Sequence, residues 1–402
     1  MPESDNAIWG QAKNPYDVTR TPGGSSGGEA ALIAARCSVL GLGSDIGGSI
    51  RIPAHYCGIV GYKPTPGRIT KKGAGIARLN NRNGQIVVPS TTGPMARSVR
   101  DCTLMMKALL NLTPEEDVQV PGIPWNDECV DNGGKHRMRV AVMMSDGWFE
   151  PFPACKRAVQ LAADALVAAG HEVVPFELPV PTVDMIRAYF GSMGADGNWY
   201  SLLRALEGEE LSDSYKSLQA FTSIPNILRP FIMSILDMFG EHRKAVMLGS
   251  IKNGGLSVRQ YWEVISDVNE IQAAYAECFA QNKYDAVLMP GLGVTALPHG
   301  MAPELLSALS YTFLGNLLAW PAGTVPVTTT RHDEEDYTAP EYEQDSMFRL
   351  GVKACKGSSG LPVGVQIMTP KWEDEKCLFL MREIEKRVGF DAQPSKYSCR
   401  NV

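Results

Sequence analysis

The sequence predicts an α/β fold built on a partly parallel β-sheet, and three observations predict it. An apolar run at 137–144 (RMRVAVMM) ends in the turn Ser145-Asp146-Gly147; a helical pattern follows at 158–169 and another strand pattern at 172–177. Strand, helix, strand in that order lays two strands parallel beneath a crossover helix. Further strand-like runs at 284–289, 323–328 and 362–367 supply the rest of a sheet. A chain of 402 residues that is 44% hydrophobic and 20% charged has ample material for a core, which excludes a disordered or collagen-like polymer.

Taken in order, residues 23–61 hold ten glycines and alternate Gly-Ser clusters with an apolar stretch at 30–35 and a short run at 38–42. The expected pattern is loop, helix, strand, loop, with Pro53 and Pro64 limiting regular structure beyond it. Residues 102–112 read as a helix, and 373–387 as a closing amphipathic helix. Between about 180 and 275 the pattern is mostly helical and reads as a cap inserted into one domain spanning 1–402. Within it Ile227, Leu228, Phe231, Ile232, Ile235, Leu236 and Phe239 recur at helical spacing, with His242, Arg243 and Lys244 just after. Such a stripe either packs into a protein interior or lies along a membrane interface; Pro230 and Asp237 argue against a full span.

Net charge is −6, and no basic run could track a phosphate backbone, so nucleic acid is not an expected partner. Nine scattered cysteines without a C-x-x-C pair indicate neither a disulfide framework nor a zinc knuckle. The first residues, MPESDNAIWGQAKNPYD, lack the basic and apolar regions of a secretory signal, and no window has the ~18 uninterrupted apolar residues of a membrane span. The expected setting is intracellular, cytoplasmic or peripherally bound to endomembranes.

Two clusters place hydroxyls among glycines: Gly23-Gly24-Ser25-Ser26-Gly27-Gly28 and Ser44-Asp45-Ile46-Gly47-Gly48-Ser49. Glycine lets backbone N–H groups crowd around a small volume, which is how an oxyanion hole or anion nest is built; ordinary loops share the composition. A phosphate loop would need Gly-Lys-Ser/Thr, which neither cluster has. Gly41, Gly43 and Gly47 give G-x-G-x-x-x-G, a near miss to the dinucleotide fingerprint. Gly23 to Gly27 satisfies the G-x-S-x-G nucleophile elbow, but 24 preceding residues cannot hold the strands that elbow requires. No histidine (55, 136, 171, 242, 299 or 332) has a local context favouring a catalytic base.

The segments TPGGSSGGEAALIA, GLGSDIGGSIRIPAHYCGIVGYKPTPGRI and TTGPMAR together resemble the amidase signature family. The two serines stand 24 positions apart, and Asp45, Arg51, Pro53, Gly61, Lys63, Pro64 and Thr65 also agree with its pattern. Toward the carboxy terminus, DAVLMPGLG, SYTFLGNLLAWPAGTVPVTT, GLPVGVQ and KWEDEKCLFLMREIEK are similar to the branch that cleaves fatty acid amides. The resemblance implies a twisted mixed β-sheet covered by helices on both faces, with a helical cap. It implies hydrolysis of fatty acid amides or N-acyl ethanolamides through an acyl-enzyme on Ser49, with Ser25 relaying a proton and no cofactor or metal. The N–H groups of Ile46, Gly47, Gly48 and Ser49 would form the oxyanion hole, and Ser26, Asp45 and Arg51 would support the loop. It further implies a membrane-docking role for residues 227–239 and a homodimer as one expected state.

The family's base is a lysine upstream of the first serine, and the sequence is expected to start beyond it. Lys13 sits in a loop-like context, where a solvated amine stays protonated, and Lys63 matches a position with a structural role. A protein that keeps the fold and binds lipid amides without cleaving them is the rival reading, and an amidase of small amides is another.

Overall fold

The computed structural model describes residues 3–74, 85–110, 120–133, 137–197, 211, 213–338 and 345–394. A small hairpin joins β1 (Asp5–Asn6) to β2 (Gly10–Gln11). The main sheet contains β3 (Leu40–Asp45), β4 (Val60–Lys63), β5 (Thr91–Ala96), β6 (Arg139–Val142), β7 (Glu172–Pro175), β8 (Ala286–Pro290), β9 (Ala322–Thr329) and β10 (Pro362–Met368). Its order is β3-β5-β4-β9-β10-β8-β6-β7. Pairing is antiparallel from β3 as far as β8 and parallel through β8, β6 and β7. The parallel part is the strand, helix, strand unit read from the sequence, its crossover helix being Pro153–Ala168.

Helices cover both faces. Arg51, opening the helix Arg51–Cys57, reaches Gln366 of β10. A Cβ on Gly323 would lie 2.1 Å from the Met381 sulfur of the helix Asp374–Val388. Gly323 pairs with Ile367, the neighbour of Gln366, and adjacent strand residues point to opposite faces. One large apolar core, including the buried Phe149, Tyr275, Val287, Val365 and Leu378, fills the layers between sheet and helices.

The expectation that Pro53 limits regular structure is corrected. It occupies the first turn of Arg51–Cys57, and the carbonyl four residues before it, that of Ser49, accepts from the Ser26 N–H instead, so the missing N–H leaves no acceptor empty. The sequence reading also left out β4 and β5. Pro94 lies within β5, and β4 pairs with β5 only at Val60 and Gly61, so Pro94 costs no bond on that side. The helix expected at 102–112 is Val99–Leu109, with Ser98 capping the Asp101 N–H; residues 111 and 112 lie outside the described residues. Cys37 is disulfide-bonded, although the scattered cysteines of the sequence indicate no disulfide framework.

The cap region contains the helices Thr182–Met193, Asp213–Thr222, Arg229–Met238, His242–Ser250 and Val258–Asn282; residues 198–210 and 212 of it lie outside the described residues. The apolar stripe does not enter the core. Phe231 is 68%, Phe239 66% and Ile227 87% exposed, and Arg229 is the one buried residue of its helix. Arg229 anchors the helix by donating to the carbonyls of Thr222, Ile224, Leu248 and Ile251. Among the described residues no helix is long and apolar enough to cross a membrane.

Candidate active site

The two glycine-serine clusters flank the start of the main sheet. Ser25 and Ser26 precede the helix Gly27–Ala34, and the Gly24–Ser25 peptide is cis. Residues 46–50 connect β3 to the helix Arg51–Cys57. The Ser26 N–H donates to the Ser49 carbonyl at 3.1 Å, and the Ser26 hydroxyl accepts from the Ser44 N–H at 3.3 Å, so the two loops are tied directly. Ser4 braces the first loop, donating to the carbonyls of Gly23 and Ser25 and accepting from Gly27 N–H, each at 3.1 Å. Ser25 is exposed and Ser49 half-buried.

Beneath the second loop lies a fully buried ion pair. Arg51 donates to both Asp45 carboxylate oxygens, Nε at 3.0 Å and Nη2 at 2.9 Å. Its remaining donors reach Asn316 Oδ1 at 2.5 Å and Gln366 Oε1 at 2.6 Å. Asn316 returns a hydrogen bond to Asp45 Oδ1 at 3.0 Å, and Gln366 donates to the Tyr311 carbonyl at 2.9 Å, so this polar network is closed. Burial alone would raise the Asp45 carboxyl, but the charge and hydrogen bonds of Arg51, with Lys63 and Asn316 adding, hold it down at about 2. Asp45 is therefore a fixed anion, and it accepts from Gly48 N–H at 2.7 Å and Ile50 N–H at 3.2 Å.

Every carbonyl of residues 45–49 faces a donor: Asp45 O meets Asn316 Nδ2 (3.4 Å), Ile46 O the Tyr189 hydroxyl (3.3 Å) and Gly47 O the Thr312 hydroxyl (2.9 Å), whose one proton is shared with the Leu309 carbonyl at 2.8 Å. Gly48 O accepts from Ile52 N–H at 2.7 Å and Ser49 O from Ser26. In a trans peptide the N–H points opposite to the C=O, so anchoring the carbonyls aims the amides the other way. The Gly48 N–H donates to Asp45, while those of Ile46, Gly47 and Ser49 find no acceptor among the described residues. Gly48 has φ +110°, a conformation glycine adopts without strain, and a Cβ there would lie 2.4 Å from Thr312 Oγ1. The loop can thus offer several N–H donors to one anionic oxygen beside a hydroxyl.

Lys13 is exposed. Lys63 is fully buried at the end of β4; its ammonium donates to the Pro64 carbonyl at 3.2 Å. Burial, with Arg51 adding, lowers its pKa to about 7. His55 is likewise buried between Gly364 and Val294 and lowered by burial to about 4, a structural placement. Tyr189, Thr312, Asn316 and Gln366 escaped sequence reasoning. Their one local signal is polarity inside apolar runs, as with Asn316 in SYTFLGNLL.

Residues 1–378 match the family described as Amidase. This chain belongs to the amidase family. Fatty-acid amide hydrolase 1 of Sus scrofa is 37% identical over 399 residues, which are 98% of this chain and 66% of that protein. Fatty acid amide hydrolase 1 of Caenorhabditis elegans is 32% identical over 388 residues, 95% of this chain and 66% of its own length. Among solved structures, a fatty acid amide hydrolase superposes with a TM-score of 0.80 at 28% identity, covering 97% of this chain and 63% of that one. The chain thus spans just under two thirds of the length of these relatives. The amidase signature fold expected from the sequence is the one it adopts.

Proposed function

We propose that the chain is a serine-dependent amide hydrolase acting on fatty acid amides and N-acyl ethanolamides. The observation that carries the reading is the loop 45–49, with every carbonyl facing a donor and the amides of Ile46, Gly47 and Ser49 without an acceptor among the described residues, next to the Ser49 side chain. Attack of Ser49 Oγ on the amide carbonyl forms a C–O bond and moves charge onto the carbonyl oxygen, where these N–H groups stabilise it. Such donors are typically worth about 3–4 kcal/mol each. Ser25, on the loop tied to Ser49 through Ser26, takes the Ser49 proton and delivers it to the departing amine, since amide nitrogen leaves only when protonated. Water then cleaves the acyl-enzyme. The base that drives the relay is, by the family pattern, a lysine upstream of Ser25.

Two features favour a lipid. A cavity of about 600 Å³ is lined by the apolar Phe221, Met247, Leu306, Met347 and Leu350 together with Lys244, Glu304, Arg349 and Lys353, a lining that suits a chain with a polar end. Leu306 opens the turn Leu306–Leu309, which runs directly into the helix Ser310–Leu317 that carries Thr312. The exposed Ile227, Leu228, Phe231 and Phe239 suit a membrane surface from which such a substrate is drawn. The reading is tested by ethanolamine release from N-acyl ethanolamides of two and sixteen acyl carbons. Preferential hydrolysis of the long chain, lost in Ser49→Ala, is expected. Preference for the short chain would make it an amidase of small amides, and long-chain binding without turnover would make it a lipid-binding relative.

A further inference from the structure

We propose that Tyr189 is a positioning residue of this site, whose hydroxyl, by holding the Ile46 carbonyl, turns the Gly47 N–H toward the oxygen that becomes negatively charged. The inference rests on the amide-hydrolase reading above and adds a residue to it.

The Ile46 C=O and the Gly47 N–H belong to one peptide unit and point in opposite directions when that unit is trans. Its orientation is therefore decided by whatever holds the carbonyl, and the donor is the Tyr189 hydroxyl at 3.3 Å. The approach needs glycine at position 47, because a Cβ there would sit 2.1 Å from the hydroxyl oxygen.

The ring that carries the hydroxyl is fixed by its neighbours. Tyr189 stacks on Phe313 with centroids 4.2 Å apart and planes 9° from parallel, and Phe190 meets both rings edge-on at 5.5 and 5.7 Å. Phe313 follows Thr312, whose hydroxyl meets the next carbonyl of the loop, Gly47 O, at 2.9 Å. Two consecutive residues of one helix thus set two consecutive peptide planes, Thr312 by direct contact and Phe313 through the Tyr189 ring. The outcomes differ. The plane set by Thr312 gives its N–H, that of Gly48, to Asp45, whereas the plane set by Tyr189 leaves the Gly47 N–H without an acceptor among the described residues. Burial, with the Asp45 carboxylate adding, raises the phenol, which keeps it a donor throughout the neutral range.

The test is Tyr189→Phe, which keeps the stack and removes the donor. Three readouts are compared with the unaltered chain: kcat and KM for an N-acyl ethanolamide, affinity for a trifluoromethyl ketone that forms an anionic tetrahedral adduct with the nucleophile, and crystal structures of both proteins. The expected result is a fall in kcat of about 10- to 100-fold with KM within about twofold, and a matching loss of ketone affinity. The Ile46–Gly47 peptide should also rotate. Unchanged kcat and ketone affinity would overturn the proposal, as would a fall in melting temperature with KM alone affected. If the unaltered chain neither turns over amides nor binds the ketone, the hydrolase reading fails. The two crystal structures then decide the positioning claim: a rotated peptide supports it and an unrotated one overturns it.

Discussion

Replacing Arg51 with Met strands the Asp45 carboxylate beneath the glycine loop. Four hydrogen bonds disappear at once, to Asp45 Oδ1 and Oδ2, Asn316 Oδ1 and Gln366 Oε1, from a side chain that is 0% exposed beside a partner that is 0% exposed. Breaking a buried pair by removing one member costs about 3–5 kcal/mol, because the survivor is left as an uncompensated charge. The pH dependence has a definite sign. Asp45 is held at about 2 in the folded chain against 3.8 for the free group, so it stabilises the fold above about pH 4 by about 2 kcal/mol. That contribution disappears as pH falls from about 4 to about 2. Without Arg51 the effect of burial meets less opposition, Asp45 protonates at higher pH, and the acid limb of stability moves upward. Urea unfolding at pH 7 and at steps between pH 2 and 5 reads both effects, and the double variant Asp45→Asn with Arg51→Met should recover part of the loss. A loss under about 1 kcal/mol at pH 7, or an unmoved acid limb, would refute the reasoning.

Gly48→Ala forces a side chain into φ +110° and against Thr312 Oγ1; it should lower kcat by about 10²-fold, measured by ethanolamine release with folding checked by circular dichroism. Phe231→Asp with Ile235→Asp should weaken co-sedimentation with phosphatidylcholine vesicles while leaving the melting temperature nearly unchanged, because Phe231 is exposed and Ile235 only half-buried. Leu306→Trp narrows the cavity beside Met247 and Leu350 and should raise KM for sixteen-carbon more than for two-carbon N-acyl ethanolamides.

The sheet was legible where its strands are apolar runs between breakers, as at β6, β8 and β10, because a strand buried on both faces leaves a continuous hydrophobic signature. It was illegible at β5, whose TTGPMA carries a proline and glycine that local rules assign to turns; only pairing with β3 and β4 makes it a strand. The cap stripe displayed its period but not its environment. Exposed Phe231 and a buried Leu follow the same helical spacing, and the choice between them depends on what packs alongside. At the site, the serines, the glycines and the Asp45–Arg51 pair could be read because they are close in sequence. Asn316, Gln366, Thr312 and Tyr189 could not, since they reach the loop from helices and a strand more than 140 positions away, as Tyr189 with Ile46 illustrates.

The central claim is that Ser49 is the acylated nucleophile. The most direct measurement incubates the purified 402-residue chain with a fluorophosphonate and maps the adduct by peptide mass spectrometry, with Ser49→Ala in parallel. The account predicts one phosphonylated residue, Ser49, and no adduct in the variant. Labelling that persists in Ser49→Ala, or a folded chain that leaves Ser49 unlabelled, would contradict it.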